Sequence, residues 1–180
     1  MRLRTIFILA VGLLLMSGSN RAQDAPQPSE YQVKAAFIFN FAKFVEWPPA
    51  SFADGKAPLC IGVMGENPFG SDLEHVLRDK RLNSRLLTIR ECRTVEEAKT
   101  CQVLFITASE KSRLKEILDG LSETHILTVG ETETFVKSGG MINFVREGNR
   151  FRFEINDKAA RKAGLRIASK LLELGKKPTT

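Results

Sequence analysis

The chain has 180 residues and a formal net charge of +6, but Arg2, Arg4 and Arg21 lie in a predicted export signal, and without them the charge falls to +3. The roughly 155 residues that remain suit one domain with a single hydrophobic core. Since no basic cluster with interleaved aromatic residues follows, the composition argues against nucleic-acid binding.

The first 22 residues have the layout of a secretory signal peptide. A positively charged start precedes the apolar run Thr5–Met16, and the small residues after it allow cleavage after Ser19 or after Ala22. The run is short for a membrane span, so an uncleaved anchor is the weaker alternative. Residues 23–30 are interpreted as a flexible lead-in. We therefore predict a periplasmic protein that crosses the inner membrane with a cleaved signal peptide.

The segment Tyr31–Pro48 is apolar and rich in aromatic residues, and its pattern predicts a buried helix ended by the proline pair at 48 and 49. On a helical projection its polar residues fall on one arc, and apolar residues cover most of the remainder. Phe39 projects from within the polar arc. Either a later segment covers Phe39, or Phe39, Lys43 and Glu46 belong to a partner-binding patch.

From residue 59 onward, short strand-like runs alternate with helical ones, which indicates right-handed crossovers and a mostly parallel sheet. The hairpin signal Glu147-Gly148-Asn149 then predicts an antiparallel pair of strands. The predicted strands are Leu59–Met64, Leu86–Ile89, Val103–Thr107, Ile126–Val129, Met141–Arg146 and Arg150–Ile155. The predicted helical segments between them are Phe69–Arg78, Val95–Lys99 and Ser112–Leu121, with a helical turn at Glu133–Lys137.

One long final helix is predicted from Lys158 to Leu174, capped by Asn156 or Asp157 and ended by Gly175. Its expected buried line consists of Ala160, Ala163, Ile167, Leu171 and Leu174. Leu165 and Leu172 form a second apolar strip, which either flanks the core or contacts a second copy. The predicted fold is a single α/β domain over residues 31–175, with a mostly parallel central sheet, a C-terminal antiparallel hairpin, flanking helices and a tail at 176–180.

Three cysteines, Cys60, Cys92 and Cys101, follow the predicted signal, so an oxidising compartment allows at most one internal bridge. Cys60 opens the first strand of the sheet and Cys101 precedes the third, which places both at one edge if the strands are parallel neighbours. Cys92 follows the second strand and is expected at the opposite edge. Because a bridge needs Cα atoms within about 7 Å, the topology favours Cys60–Cys101 and leaves Cys92 as the odd thiol.

Signals for catalysis and metal binding are weak. The two histidines, His75 and His125, stand in no metal-ligand spacing, and no nucleophile-elbow or phosphate-loop motif occurs. We therefore predict no enzyme and no cofactor, and we expect Glu131, near a strand end, to be solvated. The alternative to a protein-binding role is a ligand held at the carboxyl ends of the strands, near Gly65–Phe69 and Thr107–Ser109.

Five separated segments of the mature chain match one protein family. They are YQVKAAFIFNFAKFVEWP at 31–48, LCIGVMGENPF at 59–69, CQVLFITAS at 101–109, GGMINFV at 139–145 and RFRFEINDKAARKAGLRIASKLL at 150–172. Together they resemble the YfiR-like family of periplasmic regulatory proteins. The resemblance covers most of the mature chain, and the aromatic first helix joined to GGMINFV and RFEIN is its most specific part.

The resemblance implies a small periplasmic α/β domain that binds other proteins and has no catalytic activity. It implies repression of an inner-membrane signalling protein, such as a diguanylate cyclase, through its periplasmic region, with an outer-membrane lipoprotein as a second partner and a homodimer as a further assembly. The cyclase partner would link the chain to c-di-GMP signalling. The alternative function is a periplasmic small-molecule-binding sensor module. The partner anchor would be Phe39 or the strip of Leu165 and Leu172.

The resemblance also implies a disulfide between Cys60 and Cys101, in agreement with the predicted topology. A second family bridge, in the region of the C-terminal hairpin, has no counterpart because no cysteine follows Cys101. Redox control through that second bridge is therefore not expected in this chain.

Overall fold

The computed structural model describes residues 27–148 and 150–178, so the predicted signal peptide at 1–22 lies outside the described residues. The helices are α1 (Glu30–Lys43), α2 (Asp72–Leu77), α3 (Val95–Ala98), α4 (Leu114–Gly120), α5 (Asp157–Lys162) and α6 (Ser169–Leu174). The strands are β1 (Val45–Glu46), β2 (Leu59–Met64), β3 (Arg81–Leu82), β4 (Arg85–Cys92), β5 (Val103–Ile106), β6 (Leu127–Gly130), β7 (Ile142–Glu147), β8 (Arg150–Ile155) and β9 (Arg166–Ile167).

Seven strands form one sheet in the order β3-β4-β2-β5-β6-β7-β8. The five central strands run parallel, whereas β3 and β8 pair antiparallel at the two edges. This arrangement confirms the predicted α/β fold with a C-terminal antiparallel hairpin. A second, two-stranded sheet joins β1 to β9.

The central strand β2 is buried along its whole length because helices cover both faces of the sheet. On one face, Ile61 and Val63 pack with Ile38 and Phe41 of α1. On the other face, residues such as Met64 pack with the apolar side of α4, and the three cysteines lie in this second cluster. Helix α1 therefore covers the face opposite to the cysteines.

Helix α1 begins at a complete capping box, in which the Ser29 hydroxyl accepts from the backbone N–H of Gln32 and the Gln32 side chain accepts from Ser29 N. The expected extension to the prolines at 48 and 49 is wrong, because the helix ends at Lys43. Val45 instead pairs with Ile167 in the small sheet, so the backbone after α1 finds its partners in the C-terminal segment.

The predicted single helix from Lys158 to Leu174 is also wrong. Gly164 adopts a φ of +74°, which ends α5, and β9 separates α5 from α6. The interruption changes which of the following side chains point toward the core. Leu165 turns into the core with 1% exposure, whereas Leu174, expected in the buried line, is 63% exposed. The predicted helical turn at Glu133–Lys137 is confirmed, since residues 133–139 form turns in which Ser138 N donates to the carbonyl of Thr134.

Candidate partner-binding surface and cysteine cluster

The outward side of α1 carries Phe39 and Lys43, two of the predicted partner-binding residues. Phe39 is half-buried, and the ammonium of Lys80, a few residues after α2, lies 4.5 Å from the centroid of its ring. Lys43 is exposed one helical turn further along. A cation–π contact at an exposed site contributes only about 0.5–1 kcal/mol. A partner could therefore displace Lys80 from the ring at low cost.

Glu46, the third predicted residue, lies in β1 beside the C-terminal segment. Its carboxylate is 3.7 Å from the guanidinium of Arg166, and both side chains are largely exposed. The backbone N–H of Ala168 donates to the carbonyl of Phe44 at 2.9 Å, directly after α1. The end of α1 and the C-terminal segment are thus joined, although more than 100 residues separate them in sequence.

The predicted strip of Leu165 and Leu172 does not exist as an exposed feature. Leu165 is a member of the main core and offers no surface to a partner, while Leu172 is half-buried against that core. Leu174 was predicted to be buried, but the break at Gly164 leaves its side chain exposed. The glycine was the available signal, because glycine is unfavourable inside a helix.

At the carboxyl ends of the strands, the structure contains a buried ion pair that the sequence did not reveal. Lys34 of α1 places its ammonium 2.7 Å from the carboxylate of Glu131, which follows β6, and 2.5 Å from that of Glu30. The side chains of Lys34 and Glu131 are only 5% and 8% exposed. Glu131 also accepts hydrogen bonds from Ala108 N and the Tyr31 hydroxyl. The expectation that Glu131 is solvated is therefore wrong.

The electrostatics of this site follow from burial and pairing. Burial lowers the pKa of Lys34, but the hydrogen bonds to Glu131 and Glu30 outweigh burial, and the pKa lies above that of an ordinary lysine. The pKa of Tyr31 is raised by its own burial and by the negative charge of Glu131. At neutral pH the site therefore holds a charged lysine and serves to fasten α1 to the sheet.

The carboxyl ends of β2, β4 and β5 border an open polar depression, where the sequence suggested a ligand site. Gly65, Glu66, Cys92, Arg93, Ser109 and Glu110 line it. Phe69 and Thr107, members of the suggested segments, are buried and do not line it. The Ser109 hydroxyl accepts from Glu66 N at 3.0 Å and contacts Thr107 Oγ1 at 2.8 Å. The protein's own groups therefore occupy part of this edge.

The three cysteines are thiols and lie together on the face opposite α1. A Cβ atom placed on Gly62 would be 3.1 Å from the sulfur of Cys92 and 3.2 Å from that of Cys101. The prediction that Cys92 lies at the opposite edge of the sheet is confirmed, because Cys92 pairs with Met64 at the end of β2 whereas Cys101 precedes β5. The inference that this separates its thiol from Cys101 is wrong, because the two sulfurs approach each other at Gly62. The missing side chain at Gly62 leaves the space in which the two sulfurs approach each other.

The cysteines also influence each other electrostatically. The Cys101 thiol and burial raise the pKa of Cys60 well above its ordinary value. Cys60 lowers the pKa of Cys101, but Cys92 and burial raise it more strongly, to about 11. The pKa of Cys92 is lowered, chiefly by its interaction with Cys101. Cys92 is therefore the thiol of the three that most readily forms a thiolate.

We expect Gly62→Ala to lower the free energy of unfolding by about 1–3 kcal/mol, because the added methyl overpacks this site. Besides the two sulfurs, the methyl would meet Leu104 Cδ1 at 2.9 Å. Gly55→Ala is the matched control, since a Cβ there has no atom within 4 Å. Urea denaturation of both variants measures the difference. Equal stability of the two variants would show that the cysteine cluster is loosely packed.

The described part of the chain gives no sign of a metal site or a membrane span. Among its residues, no group of three or more His, Cys, Asp or Glu side chains could hold a metal ion. His125 has Nδ1 2.7 Å from the carbonyl oxygen of Ala163, next to the turn at Gly164, and His75 is exposed on α2. No helix within residues 27–148 and 150–178 is long and apolar enough to cross a bilayer.

Comparison with known proteins identifies the family of the chain. The model of the domain family DUF4154, described as YfiR/HmsC-like, matches residues 31–176. No curated protein sequence is significantly similar to the chain. The family match extends from the first turn of α1 to the residues after α6, and it includes the whole seven-stranded sheet and the cysteine cluster. The chain therefore belongs to the YfiR/HmsC-like family.

Proposed function

We propose that the protein is a periplasmic regulator that represses an inner-membrane signalling protein, such as a diguanylate cyclase, by binding its periplasmic region. Membership of the YfiR/HmsC-like family is consistent with a periplasmic regulator. The observation that carries the proposal is the half-buried ring of Phe39 on the outer side of α1, beside the exposed Lys43 and covered by Lys80.

The chemistry of this patch indicates what kind of partner fits it. An aromatic side chain that is anchored at its base and partly exposed can insert into an apolar pocket, which is typical of residues that dominate binding energy. Lys80, over the ring, and Lys43, four residues further along the helix, add positive charge to this surface. A complementary partner surface would present an apolar pocket with acidic residues at its rim.

Repression by binding requires only a difference in affinity. A regulator that binds the inactive state of a membrane sensor more tightly than the active state shifts the sensor towards inactivity. A hundredfold shift needs a difference of about 2.7 kcal/mol, which a few well-packed contacts can supply. An outer-membrane lipoprotein that competes for the same surface would reverse the effect. A homodimer would present two copies of the patch to a dimeric sensor.

The polar depression at the carboxyl ends of the strands favours the protein-binding role over the small-molecule sensor. Binding sites for small molecules are mostly apolar and enclose the ligand. Here Glu66, Arg93 and Glu110 line an open surface, and Ser109 is already bonded to the backbone of Glu66. The sensor module is the second proposal, because the depression that the described residues form at this edge is open and partly polar rather than an enclosed apolar pocket.

We predict that Phe39→Ala abolishes repression in cells. Deleting the gene should raise cellular cyclic di-GMP, or the output of the sensor concerned, and the full-length wild-type chain should restore the original level. Loss of an aromatic anchor costs about 2 kcal/mol or more of binding, which is a roughly 30-fold loss of affinity.

The control for this experiment is Lys115→Ala, which changes an exposed residue of α4 on the other side of the sheet. It should restore repression as the wild type does, and immunoblots should show equal amounts of both variants in the periplasm. Full repression by Phe39→Ala would remove this patch from the proposed mechanism.

A further inference from the structure

Cys101 lies between two other thiols, those of Cys60 and Cys92. Strands β2 and β5 pair with Ile61 opposite Val103, and Gln102 N donates to the carbonyl of Cys60 at 3.0 Å. Cys101 therefore sits one position before the direct neighbour of Cys60. This offset across adjacent strands is within the range of Cα separations that a disulfide spans.

Cys92 approaches Cys101 from the other side. In the β2–β4 pair, Gly62 lies opposite Arg90, so Cys92, two positions further on, projects from the same face of the sheet. Its sulfur and that of Cys101 both lie within 3.2 Å of the point that a Gly62 Cβ would occupy. Because glycine has no side chain, nothing at position 62 separates the two sulfurs.

The two neighbours of Cys101 lie at different ends of the sheet. Cys92 closes β4 and lines the open depression together with Gly65 and Ser109. Cys60 opens β2, four positions from the strand end that borders this depression. Cys92 is only 2% exposed and Cys60 8%, so neither thiol is freely accessible, but a small disulfide that enters the depression would reach Cys92 in its wall. Cys92 is also the thiol whose pKa is lowered.

We propose that Cys60 and Cys92 compete for Cys101, so that the domain holds two interchangeable disulfides, Cys60–Cys101 and Cys92–Cys101. In the exchange, the Cys92 thiolate attacks the Cys101 sulfur, a Cys92–Cys101 bond forms, and the Cys60–Cys101 bond breaks. Cys60 leaves as a thiolate and takes up the proton that Cys92 lost. The exchange involves no net oxidation, and the first bridge forms by reduction of an external disulfide to two thiols.

The Cys92–Cys101 bridge would fix the position of Cys92 in the wall of the polar depression. A Cys92–Cys101 bond ties the end of β4 to the start of β5 across Gly62, whereas the Cys60–Cys101 bond lies between neighbouring strands. The two disulfides therefore constrain different parts of the fold. The Cys60–Cys101 bridge closes a loop of about 40 residues, and the Cys92–Cys101 bridge closes one of about 10. Because a longer closed loop restricts the unfolded chain more, the Cys60–Cys101 bridge stabilises the folded domain more in the chain-entropy model.

Disulfide mapping tests the proposal on the full chain, expressed with its own N-terminal segment and purified from the periplasm. The protein is reduced, oxidised with glutathione disulfide under native conditions, alkylated and digested without reduction. The wild type should yield both linked peptides. Cys60→Ala should lose alkylation at Cys92 and yield Cys92–Cys101. Cys92→Ala should yield Cys60–Cys101, and Cys101→Ala should yield no internal bridge.

Cys60→Ala that keeps both remaining cysteines alkylated or glutathionylated would overturn the proposal. If Cys60→Ala fails to fold, a second measurement on the wild type shows whether the two bridges exchange. Protein isolated with Cys60 and Cys101 bridged is incubated at pH 8 without added redox reagents. The appearance of Cys92–Cys101 with a free Cys60 supports the exchange, and persistence of the original bridge alone contradicts it.

Discussion

Replacing Phe41 by alanine is expected to lower the free energy of unfolding by about 3–5 kcal/mol. Phe41 is fully buried in α1, and its ring centroid lies 5.0 Å from that of Phe153 and 5.5 Å from that of Phe144. These two partners come from the hairpin strands β7 and β8. The substitution removes both the buried apolar area and the aromatic contacts, and it leaves a cavity between α1 and the hairpin.

Urea denaturation followed by circular dichroism measures this effect, with Phe39→Ala as the matched control. Phe39 lies two residues earlier in the same helix but is only half-buried, so its loss should cost about 1–2 kcal/mol. The comparison separates a core residue from a surface residue within one helix. Equal destabilisation by both substitutions would contradict the placement of α1.

Breaking the buried ion pair is the second large effect that we expect. Glu131→Gln should lower the free energy of unfolding by about 3 kcal/mol, because it leaves the buried ammonium of Lys34 with Glu30 as its remaining carboxylate partner. Glu30 is considerably more exposed than Glu131, so it offsets less of the cost of burying the Lys34 charge. The double variant Lys34→Met/Glu131→Leu should regain most of the loss, since an apolar pair of similar volume avoids the cost of burying charge.

The control is Lys115→Ala, which breaks an exposed pair with Asp119 on α4. Surface pairs contribute about 0–1 kcal/mol, so this substitution should change the unfolding curve little. A double-mutant cycle over Lys34 and Glu131 isolates the interaction itself. A loss from Glu131→Gln no larger than that from Lys115→Ala would show that water screens the pair in solution.

The pH dependence follows from the raised pKa of Lys34. A basic group whose folded pKa exceeds its unfolded value contributes stability below the unfolded pKa, and the contribution is lost as pH rises through the folded pKa. The ordinary lysine value is 10.5. The contribution of Lys34, measured as the difference in free energy of unfolding between wild type and Lys34→Met, should therefore stay constant around neutral pH and fall in strongly alkaline solution, where Lys34 loses its proton.

Much of the sheet could be predicted from the sequence because its signals are local. The β-branched and aromatic run at 103–106 and the hairpin signal around Gly148 became β5 and the β7–β8 turn. The C-terminal helix was predicted as one because its apolar spacing fits a continuous helix, and a single glycine at position 164 only weakens such a prediction. Gly164, with a φ of +74°, ends the helix. The chain after it then pairs Ile167 with Val45, and the backbone hydrogen bonds of this pairing stabilise the break.

The buried ion pair and the cysteine cluster depend on contacts between distant residues. Lys34 and Glu131 are 97 positions apart, and each alone resembles an ordinary surface residue. The approach of Cys92 to Cys101 requires both the register of β2 with β4 and the absence of a side chain at Gly62. Alternation of side chains along β4 was the available clue, because it places Cys92 and Arg90 on the same face.

The proposed regulatory role is tested most directly by capturing the partner. The tagged full-length chain is crosslinked in living cells and purified from solubilised membranes, and mass spectrometry identifies the retained proteins for the wild type, Phe39→Ala and Lys115→Ala. We expect the wild type and Lys115→Ala to retain an inner-membrane protein with a periplasmic region and a cytoplasmic signalling domain, and Phe39→Ala to lose it. Absence of any such protein from the crosslinked wild-type sample would contradict the role as a repressor of a membrane sensor.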